Sequence, residues 1–333
     1  MNKNLDELQI GAPLLIQGDA FLLLKELPDQ SVDLILTSPP YFGQRQIKDG
    51  PFSQVKGPND YLRLLKRLGK EFKRVLKKEG SLWLNIGDSY RDSNLLLIPS
   101  RVAISMQDEL GFILRNDVIW EKRSFLPPSI KNRTANSYEH LFHFVLDKGY
   151  YVNKMIGTKK VQHLNPDGRV VSKTGITGED YRRKIEASSL SGRQKEEALG
   201  ALARELAKVQ VGEISDFRML IRGGSSILHS QRAEELNRNG FAFLEASPNE
   251  RVGDVWNIGI SSEKEHDSPF PEELTTYPIL SSCPKKGIVL DPFAGSGTTL
   301  VAALKLRRRA IGFEIDEDYC DLANRRIAEA LSS

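Results

Sequence analysis

The sequence predicts a doubly wound α/β fold, in which helices cover both faces of a mostly parallel sheet. Short apolar runs that suit buried strands alternate with helical stretches at both ends of the chain. Val32–Leu36 leads into the loop Ser38-Pro39-Pro40-Tyr41, and Ile288–Leu290 leads into a glycine-containing loop, Asp291–Thr299. Because open α/β sheets bind ligands at the carboxyl ends of their strands, we expect these two loops to face one another across one crevice.

The same periodicity predicts the remaining elements of the sheet and its helices. Apolar runs predict strands at Leu14–Gln17, Ser81–Gly87, Ile113–Trp120, Leu141–Leu146 and Arg309–Phe313. Amphipathic spacing predicts helices at Ala20–Leu27, Tyr61–Lys77 and Ile98–Leu110. His143 lies inside an apolar run, so we interpret it as a core histidine with its hydrogen bonds satisfied.

Composition limits the class of protein. The 333 residues suit one large domain or one domain with a substantial insert, and 40% hydrophobic content is enough for a core. The net charge of +3 permits nucleic-acid binding but does not by itself favour it. Two cysteines form no disulfide framework, so we expect a reducing, cytoplasmic location. We expect no metal site, signal peptide or membrane span.

The Ser38–Tyr41 loop has the chemistry of a hydrogen-bond acceptor for an amino group. Two prolines fix φ and remove two backbone donors, which leaves the carbonyls of Ser38 and Pro39 free to accept. A serine hydroxyl beside such a carbonyl makes a pair of acceptors for an exocyclic NH₂, and Tyr41 can stack on a base. The alternative is a rigid Pro-Pro turn with a core tyrosine.

The Asp291–Thr299 loop has the features of a nucleotide-like cofactor site. Gly295 and Gly297 permit a tight turn and close approach of the backbone. No lysine follows Gly297, which excludes a P-loop. Glu314 ends the next strand 19 residues past Gly295, a spacing that suits a carboxylate accepting from ribose hydroxyls. Asp19, after Gly18, is either a helix N-cap or a carboxylate beside the cofactor.

The two motifs together resemble the amino-methylating DNA methyltransferases that use S-adenosyl-methionine. The order, with Ser-Pro-Pro-Tyr first and Asp-Pro-Phe-x-Gly-Ser-Gly-Thr-Thr last, resembles the permuted beta subgroup of that family. The resemblance implies a Rossmann-like methyltransferase fold with a seven-stranded sheet and one antiparallel strand. Serine at the first position resembles the cytosine-N4 enzymes of restriction–modification systems, since adenine-N6 enzymes usually carry aspartate there.

The resemblance also implies the roles of individual residues. Direct transfer to the cytosine N4 of a flipped base would use the acceptors of Ser38 and Pro39, with Pro40 completing the loop. Tyr41 would stack on the base, and Ser38 could donate its own proton to cytosine N3. The segment His266–Pro271 resembles one that lies against the methionine part of the cofactor. The residues implied in cofactor binding are Asp19, Phe270, Pro271, Asp291, Pro292, Phe293, Ala294, Gly295, Ser296, Gly297, Thr298 and Glu314.

DNA contacts are expected in three places. The polar composition of residues 42–60 predicts a mobile loop after the catalytic turn. Between Glu121 and Glu139, the polar residues Arg133, Asn136 and Glu139 lie in a stretch that resembles the family's loop below the target base. Between 150 and 251 the α/β alternation stops, and 17 Lys plus Arg face 13 Asp plus Glu. The resemblance makes this stretch a target-recognition insert between catalytic residues 1–149 and cofactor-binding residues 252–333. Expected DNA-binding residues are Gln44, Arg45, Lys48, Arg133, Arg182, Arg183 and Arg222.

Several alternatives remain open at this point. The chain could be an adenine-N6 DNA methyltransferase, an RNA or protein N-methyltransferase, or a DNA-binding module without catalysis. Cytosine-C5 methylation is disfavoured because it needs a nucleophilic cysteine, commonly after proline, whereas Cys283 precedes Pro284 and Cys320 falls in a predicted helix. The partner expected is double-stranded DNA. A separate restriction endonuclease, and a monomeric or homodimeric state, are further expectations.

Overall fold

The protein is described by a computed structural model that covers residues 12–43, 49–123, 132–153, 158–160, 164, 168–172, 175–222, 231–246, 249–259 and 271–332. The chain divides into two units. One comprises Met1–Ile156 with Gly253–Ser333, and the other comprises Gly157–Val252. Residues 150–153 stay with the first unit because the Tyr151 and Asn153 amides donate to the carbonyls of Glu79 and Ser281, both at 2.8 Å.

The first unit contains most of the strands and helices. Its strands in the main sheet are β1 (Leu14–Gln17), β2 (Val32–Thr37), β3 (Leu76–Ile86), β6 (Ile113–Lys122), β7 (Tyr138–Val145), β12 (Val255–Ile258), β13 (Ile288–Asp291) and β14 (Arg309–Glu314). A small hairpin pairs β4 (Tyr90–Arg91) with β5 (Asn94–Leu95). Its helices are α1 (Ala20–Glu26), α2 (Pro58–Val75), α3 (Ile98–Asp108), α7 (Glu272–Ser282), α8 (Thr298–Lys305) and α9 (Glu317–Ser332).

The main sheet has eight strands rather than the predicted seven, in the order β1-β14-β13-β2-β3-β7-β6-β12. The extra strand is β12, which pairs in parallel with β6 at the sheet edge. Its sequence, Val255-Trp256-Asn257-Ile258, alternates between exposed and buried residues and lacks the continuous apolar run that marks an inner strand. The prediction of one reversed strand is confirmed, since β7 is antiparallel to both β3 and β6.

Helices cover both faces of this sheet, as the doubly wound fold requires. Apolar residues of α1, α2 and α3 pack on one face, and those of α7, α8 and α9 pack on the other. The central strand β2 is buried along its whole length and alternates its side chains between the two cores, with Ile35 in the first and Leu34 in the second. The sheet is therefore a rigid platform for the loops at its carboxyl edge.

The chain reverses its direction of winding between β13 and β2. From β2 it proceeds to β3 on one side, and from β13 it proceeds to β14 on the other. Such a switch point leaves a crevice beyond the carboxyl ends of the two strands. The stretch predicted as a polar loop after β2 contains regular structure, because Pro51–Gln54 forms a 3₁₀ turn and α2 already begins at Pro58.

The second unit has a hydrophobic core of its own. Its elements are β8 (Thr158–Lys160), α4 (Gly178–Glu186), α5 (Gly192–Gln210), β9 (Asp216–Ile221), α6 (Gln231–Asn239), β10 (Phe241–Ala246) and β11 (Asn249–Arg251). Capping boxes at Thr177 and Ser191 begin α4 and α5. The buried side chains of Tyr181, Leu202 and Phe217 belong to the core of this unit.

Candidate active site

Both predicted loops line one cavity of about 290 Å³ at the switch point of the sheet. The loop after β2 contributes Ser38–Tyr41, and the loop after β13 contributes Asp291–Ser296 with Thr298. The ends of the two strands are joined directly, because Thr37 Oγ1 donates to Asp291 Oδ1 at 2.7 Å. The crevice expected from the strand ends is thus present, and both motifs line it.

Asp291 is a buried carboxyl at the base of the cavity. Its Oδ1 also accepts from the Phe293 amide at 3.1 Å, which shapes the start of the glycine loop. Burial raises the pKa of Asp291 to about 6, although the hydrogen bonds from neighbouring hydroxyl and amide groups oppose this effect. Asp291 therefore shapes the loop, but its ionised carboxylate carries the desolvation cost of burial.

Glu314 is held rigidly at the end of β14. Its Oε2 accepts from the Gly295 amide at 2.7 Å, and its Oε1 accepts from the amides of Ile315 at 2.8 Å and Asp316 at 2.9 Å. Burial raises the pKa of Glu314 while these three amides oppose the shift. Since Oε1 already has two donors, Oε2 has the greater capacity to accept a further hydroxyl.

Gly297 shows why the loop needs glycine. It is the left-handed N-cap of α8, with φ of 78°, and a Cβ there would lie 2.9 Å from Ala323 Cβ. Below it, Arg326 Nη1 binds the Ser296 carbonyl at 2.9 Å and the Ser296 hydroxyl at 2.7 Å. These contacts within the protein fix the shape of the loop.

Asp19 lines the cavity and also caps a helix. Its Oδ1 accepts from the Phe21 amide at 2.9 Å at the start of α1. Both interpretations of this residue made from the sequence are therefore compatible with its position. The preceding Gly18 donates its amide to the Glu314 carbonyl at 2.7 Å, which brings the ends of β1 and β14 together.

The Ser38–Tyr41 loop is fixed by side chains from other elements. Tyr61 of α2 donates its hydroxyl to the Pro40 carbonyl at 2.9 Å. Ser38 Oγ donates to Tyr41 Oη at 3.0 Å, and Tyr41 Oη donates to Glu139 Oε2 at 2.5 Å. The expectation that Ser38 gives its proton to cytosine N3 does not fit this arrangement, because that hydrogen is directed at Tyr41.

Glu139, which the sequence placed in a stretch resembling the loop below the target base, is the centre of a buried polar network that the sequence did not predict. It is 6% exposed; its Oε1 pairs with Lys122 Nζ at 2.6 Å, and its Oε2 accepts from Asn85 Nδ2 at 2.7 Å. Asn85 Nδ2 also donates to Tyr41 Oη. Burial, and then the Glu139 charge, raises the pKa of Tyr41 well above its usual value, so its phenol stays protonated.

An aromatic cluster closes the cavity from the side of the 3₁₀ turn. Phe52 lies with its ring centroid 5.7 Å from those of both Phe293 and Tyr61. Gly50 adopts φ of 73° beside Ile315, whose Cδ1 would lie 3.0 Å from an added Cβ. Asp49, Gly50, Pro51 and Phe52 all line the cavity, and the apolar walls suit a flat aromatic ring.

Some residues expected in the site are not part of the described cavity wall, and others lie outside the described residues. Pro271 is the N-cap residue of α7 and Gly297 that of α8, and neither lines the described cavity. Arg133 has its guanidinium 3.6 Å from the ring centroid of Tyr90. Phe270, Gln44, Arg45 and Lys48 lie outside the described residues.

The remaining expected DNA contacts belong to the second unit. Arg182 and Arg183 are exposed on α4, where Arg183 pairs with Asp180 at 2.7 Å. Arg222 follows β9 and donates its backbone amide to the Gly240 carbonyl at 2.9 Å. The three arginines are therefore residues of the second unit and do not belong to the described cavity lining.

The cysteines carry no sign of activation. Burial raises the pKa of Cys283 to about 12 and that of Cys320 to about 11. The described part of the cavity wall contains neither thiol. Within the described ranges no group of metal-ligating side chains occurs, and no helix there is long and apolar enough to cross a membrane.

Comparison with known proteins identifies the family. The N6/N4 methyltransferase family model, described as DNA methylase, matches residues 32–325. The Type II methyltransferase M.SfiI of Streptomyces fimbriatus is 26% identical over 372 residues, covering 91% of this chain and 88% of that protein. M.SmaI of Serratia marcescens is 26% identical, with coverage of 94% and 90%.

Solved structures share the fold. The PvuII DNA methyltransferase, cytosine-N4-specific, superposes with a TM-score of 0.55 at 19% identity, covering 98% of this chain and 95% of that one. TTHA0409 of Thermus thermophilus, solved with S-adenosyl-L-methionine, has a TM-score of 0.53 at 22% identity, with coverage of 96% and 95%. Since the family match spans both motifs and the sheet between them, this chain belongs to the N6/N4 DNA methylase family.

Proposed function

We propose that this chain transfers a methyl group from S-adenosyl-methionine directly to the exocyclic N4 of a flipped cytosine in duplex DNA. The observation that carries the proposal is the single cavity that holds both Ser38–Tyr41 and the Gly295–Glu314 pair. Serine at the first loop position favours cytosine over adenine. The solved PvuII enzyme, which has the same fold, is named as cytosine-N4-specific.

The residues of the cavity fit the proposed cofactor. Glu314 Oε2 has the capacity for a ribose hydroxyl, and the loop around Gly295 allows close approach of a ligand to the backbone. Phe52 and Phe293 offer apolar faces for an adenine ring. When bound, S-adenosyl-methionine supplies a methyl group on a positively charged sulfur, which keeps the bonding electron pair as the methyl leaves.

The chain's own residues would prepare the amino group for attack. The N4 lone pair is delocalised into the cytosine ring and is a poor nucleophile. Acceptors at Ser38 Oγ and the Pro39 carbonyl would draw on the amino hydrogens and favour a tetrahedral nitrogen. Because these groups are fixed in advance, most of the rate enhancement would come from positioning and electrostatics.

DNA recognition is proposed for the second unit. The target atom is inside the duplex, so the base must leave the stack to reach the cavity. Exposed Arg182 and Arg183 on α4 suit phosphate contacts, and the segment is more basic than the rest of the chain. Residues 42–60 and Arg133, which come from the first unit, are proposed as contacts nearer the flipped base.

A product analysis tests the proposed function. Duplex DNA of mixed sequence is incubated with the protein and methyl-labelled S-adenosyl-methionine, then digested to nucleosides. We expect the label in N4-methylcytosine. Label in N6-methyladenine would show that the target base is adenine and not cytosine. Label in 5-methylcytosine would contradict direct transfer to an amino group. Binding of the cofactor without any methylation would favour a non-catalytic DNA-binding module.

A further inference from the structure

The network behind Tyr41 has a defined direction. Glu139 as a carboxylate can only accept, so Tyr41 must donate its hydroxyl hydrogen to Glu139 Oε2. Tyr41 Oη then accepts from both Asn85 Nδ2 and Ser38 Oγ. Ser38 therefore directs its hydrogen inward, and the remaining lone pairs of its oxygen are left for the cavity.

The ionised state of Glu139 is stabilised by fixed partners. At 6% exposure a carboxylate needs a compensating charge, which Lys122 of β6 provides at 2.6 Å. Asn85 of β3 donates a further hydrogen bond at 2.7 Å. This cluster is built from three strands, β3, β6 and β7.

The amino group that gains a methyl must also lose a proton. After the new N–C bond forms, the nitrogen carries a positive charge and one hydrogen too many. Ser38 Oγ is one of the two proposed acceptors of the amino group, but a neutral serine hydroxyl is a very weak base. A proton can settle on Ser38 only if the serine passes its own hydrogen onward.

We propose that Glu139 is the end of a proton relay that runs from the target nitrogen through Ser38 and Tyr41. The nitrogen gives a proton to Ser38 Oγ, Ser38 gives its own to Tyr41 Oη, and Tyr41 gives its own to Glu139 Oε2. Each O–H bond that breaks is replaced by another, so both hydroxyl groups end neutral, Glu139 ends protonated and the nitrogen ends uncharged. The inference rests on the proposed amino-methylation.

The groups around Glu139 agree with this role. Among the described residues, those facing it are Lys122 from β6, Asn85 from β3 and Tyr41 from the loop after β2. Tyr61 of α2 lies near Tyr41 and is itself neutral. His140, the next residue, is bonded to Asp117 at 2.9 Å. Glu139 is thus the group among these that can take a proton from Tyr41.

Glu139→Gln and Tyr41→Phe test the relay in the full-length protein. Glutamine keeps an oxygen that can accept from Tyr41 but is a far weaker base, and phenylalanine removes the middle hydroxyl. Each variant should lower the single-turnover methylation rate by about 100-fold, the usual range for losing proton transfer. The double variant should be no slower than the slower single variant, because the two residues act in one chain.

Asp33→Asn is the matched control. Asp33 is a 9% exposed carboxylate of β2 that pairs with Lys77 Nζ at 2.8 Å and accepts the Ile288 amide at 2.8 Å. It is outside the described cavity wall. Asp33→Asn should change the rate by less than about threefold. An equal loss of rate in Asp33→Asn and Glu139→Gln would contradict a specific role for Glu139.

A spectroscopic readout separates a relay from a structural role. In the free protein, proton NMR should show a slowly exchanging, downfield hydroxyl resonance that is lost in Tyr41→Phe and moves upfield in Glu139→Gln, since a charged acceptor makes the stronger bond.

The relay is overturned if Glu139→Gln keeps the wild-type rate, if the losses of the two single variants multiply, or if the hydroxyl resonance is absent. If the wild-type protein methylates no amino group, the proposed function fails while the resonance still tests the Ser38–Tyr41–Glu139 geometry. A Glu139→Gln protein that does not fold leaves Tyr41→Phe as the deciding variant, because Tyr41→Phe retains the pairing of Glu139 with Lys122.

Discussion

Individual residues have distinct roles in the cavity. Glu314 is placed by three backbone amides, Ser38 is oriented by Tyr41, and Asp291 joins the ends of two strands. Glu314 and Ser38 use part of their bonding capacity on the protein and also line the cavity, where their remaining acceptor capacity is available to a ligand. The site is therefore preorganised, as electrostatic catalysis requires.

Glu314→Gln tests the proposed ribose contact at the residue scale. The amide oxygen can replace Oε1 as the acceptor of the Ile315 and Asp316 amides, but the charged acceptor is lost. We expect S-adenosyl-methionine binding to weaken by about 1–3 kcal/mol, the usual effect of losing a charged hydrogen bond. Titration calorimetry measures this. Glu317→Gln, at an exposed acid of α9, serves as the control and should leave the affinity unchanged.

Residues in local sequence patterns could be predicted, whereas contacts between distant residues could not. Ser38, Gly295 and Glu314 were predicted because each lies in a local pattern at a strand end. His143 was likewise predicted as a core residue, and it is 5% exposed with Ser81 Oγ at 3.0 Å. Glu139 was predicted only as part of a polar stretch that resembles the family's loop below the target base. Its network could not be predicted, because Tyr41, Asn85 and Lys122 lie on other elements and meet it only through the order of the strands.

At the scale of elements, α2 supports the catalytic loop. Tyr61 is 2% exposed, and its hydroxyl binds the Pro40 carbonyl. Its neighbour Phe52 lines the cavity and contacts Phe293 of the glycine loop. A single helix and the turn before it thereby connect the two motifs, a link that neither motif predicts alone.

Tyr61→Phe tests this support. The substitution keeps the packing but removes the hydroxyl that binds Pro40, so we expect about 1 kcal/mol lower unfolding free energy. The methylation rate should fall severalfold because the loop is less well positioned. Tyr181→Phe is the matched control, since its hydroxyl binds the Phe217 carbonyl at 3.1 Å in the other unit. A normal rate in a folded Tyr61→Phe protein would remove α2 from the positioning of the loop.

Asp291→Asn tests the junction of β13 and β2 through pH. The pKa of Asp291 is raised from 3.8 to about 6 in the folded state, so its favourable contribution is present below pH 4 and is lost as pH rises through 6. Asparagine keeps an Oδ1 acceptor and no charge. The variant should therefore gain up to about 3 kcal/mol in unfolding free energy relative to the wild type between pH 4 and pH 7.

Denaturant titrations across this pH range, without cofactor, measure that gain. If the difference in unfolding free energy between the wild type and Asp291→Asn stayed constant with pH, Asp291 would have the same pKa in the folded and unfolded chains. The burial of its carboxyl would then carry no cost, contrary to its position beneath the glycine loop.

At the scale of the whole molecule, the two units have separate cores. The sheet could be predicted in outline, because parallel inner strands form near-continuous apolar runs. The eighth strand could not be predicted, because Val255–Ile258 is short and alternates exposed with buried residues, a pattern that a loop segment can also show. The bounds of the second unit, Gly157–Val252, depend on backbone contacts of Tyr151 and Asn153 that no local pattern encodes.

Exchanging the second unit tests its proposed role in target recognition. Gly157–Val252 would be replaced by the corresponding segment of a relative such as M.SmaI of Serratia marcescens, which is 26% identical. We expect the sequence specificity to follow the exchanged segment and the cofactor affinity to stay within about twofold, because the cavity lining lies in the first unit. If a folded chimera kept its original target sequence, residues 42–60 would be the next candidate for recognition.

Transfer to cytosine N4 through Ser38 is tested by single-turnover methylation of duplex DNA by the wild type and Ser38→Ala, with the product base identified. We expect N4-methylcytosine from the wild type. The Ser38→Ala rate should be about 100-fold lower at unchanged cofactor affinity, because an acceptor aimed at the reacting amino group is lost. A wild-type product of N6-methyladenine, or a Ser38→Ala rate close to that of the wild type, would contradict this transfer.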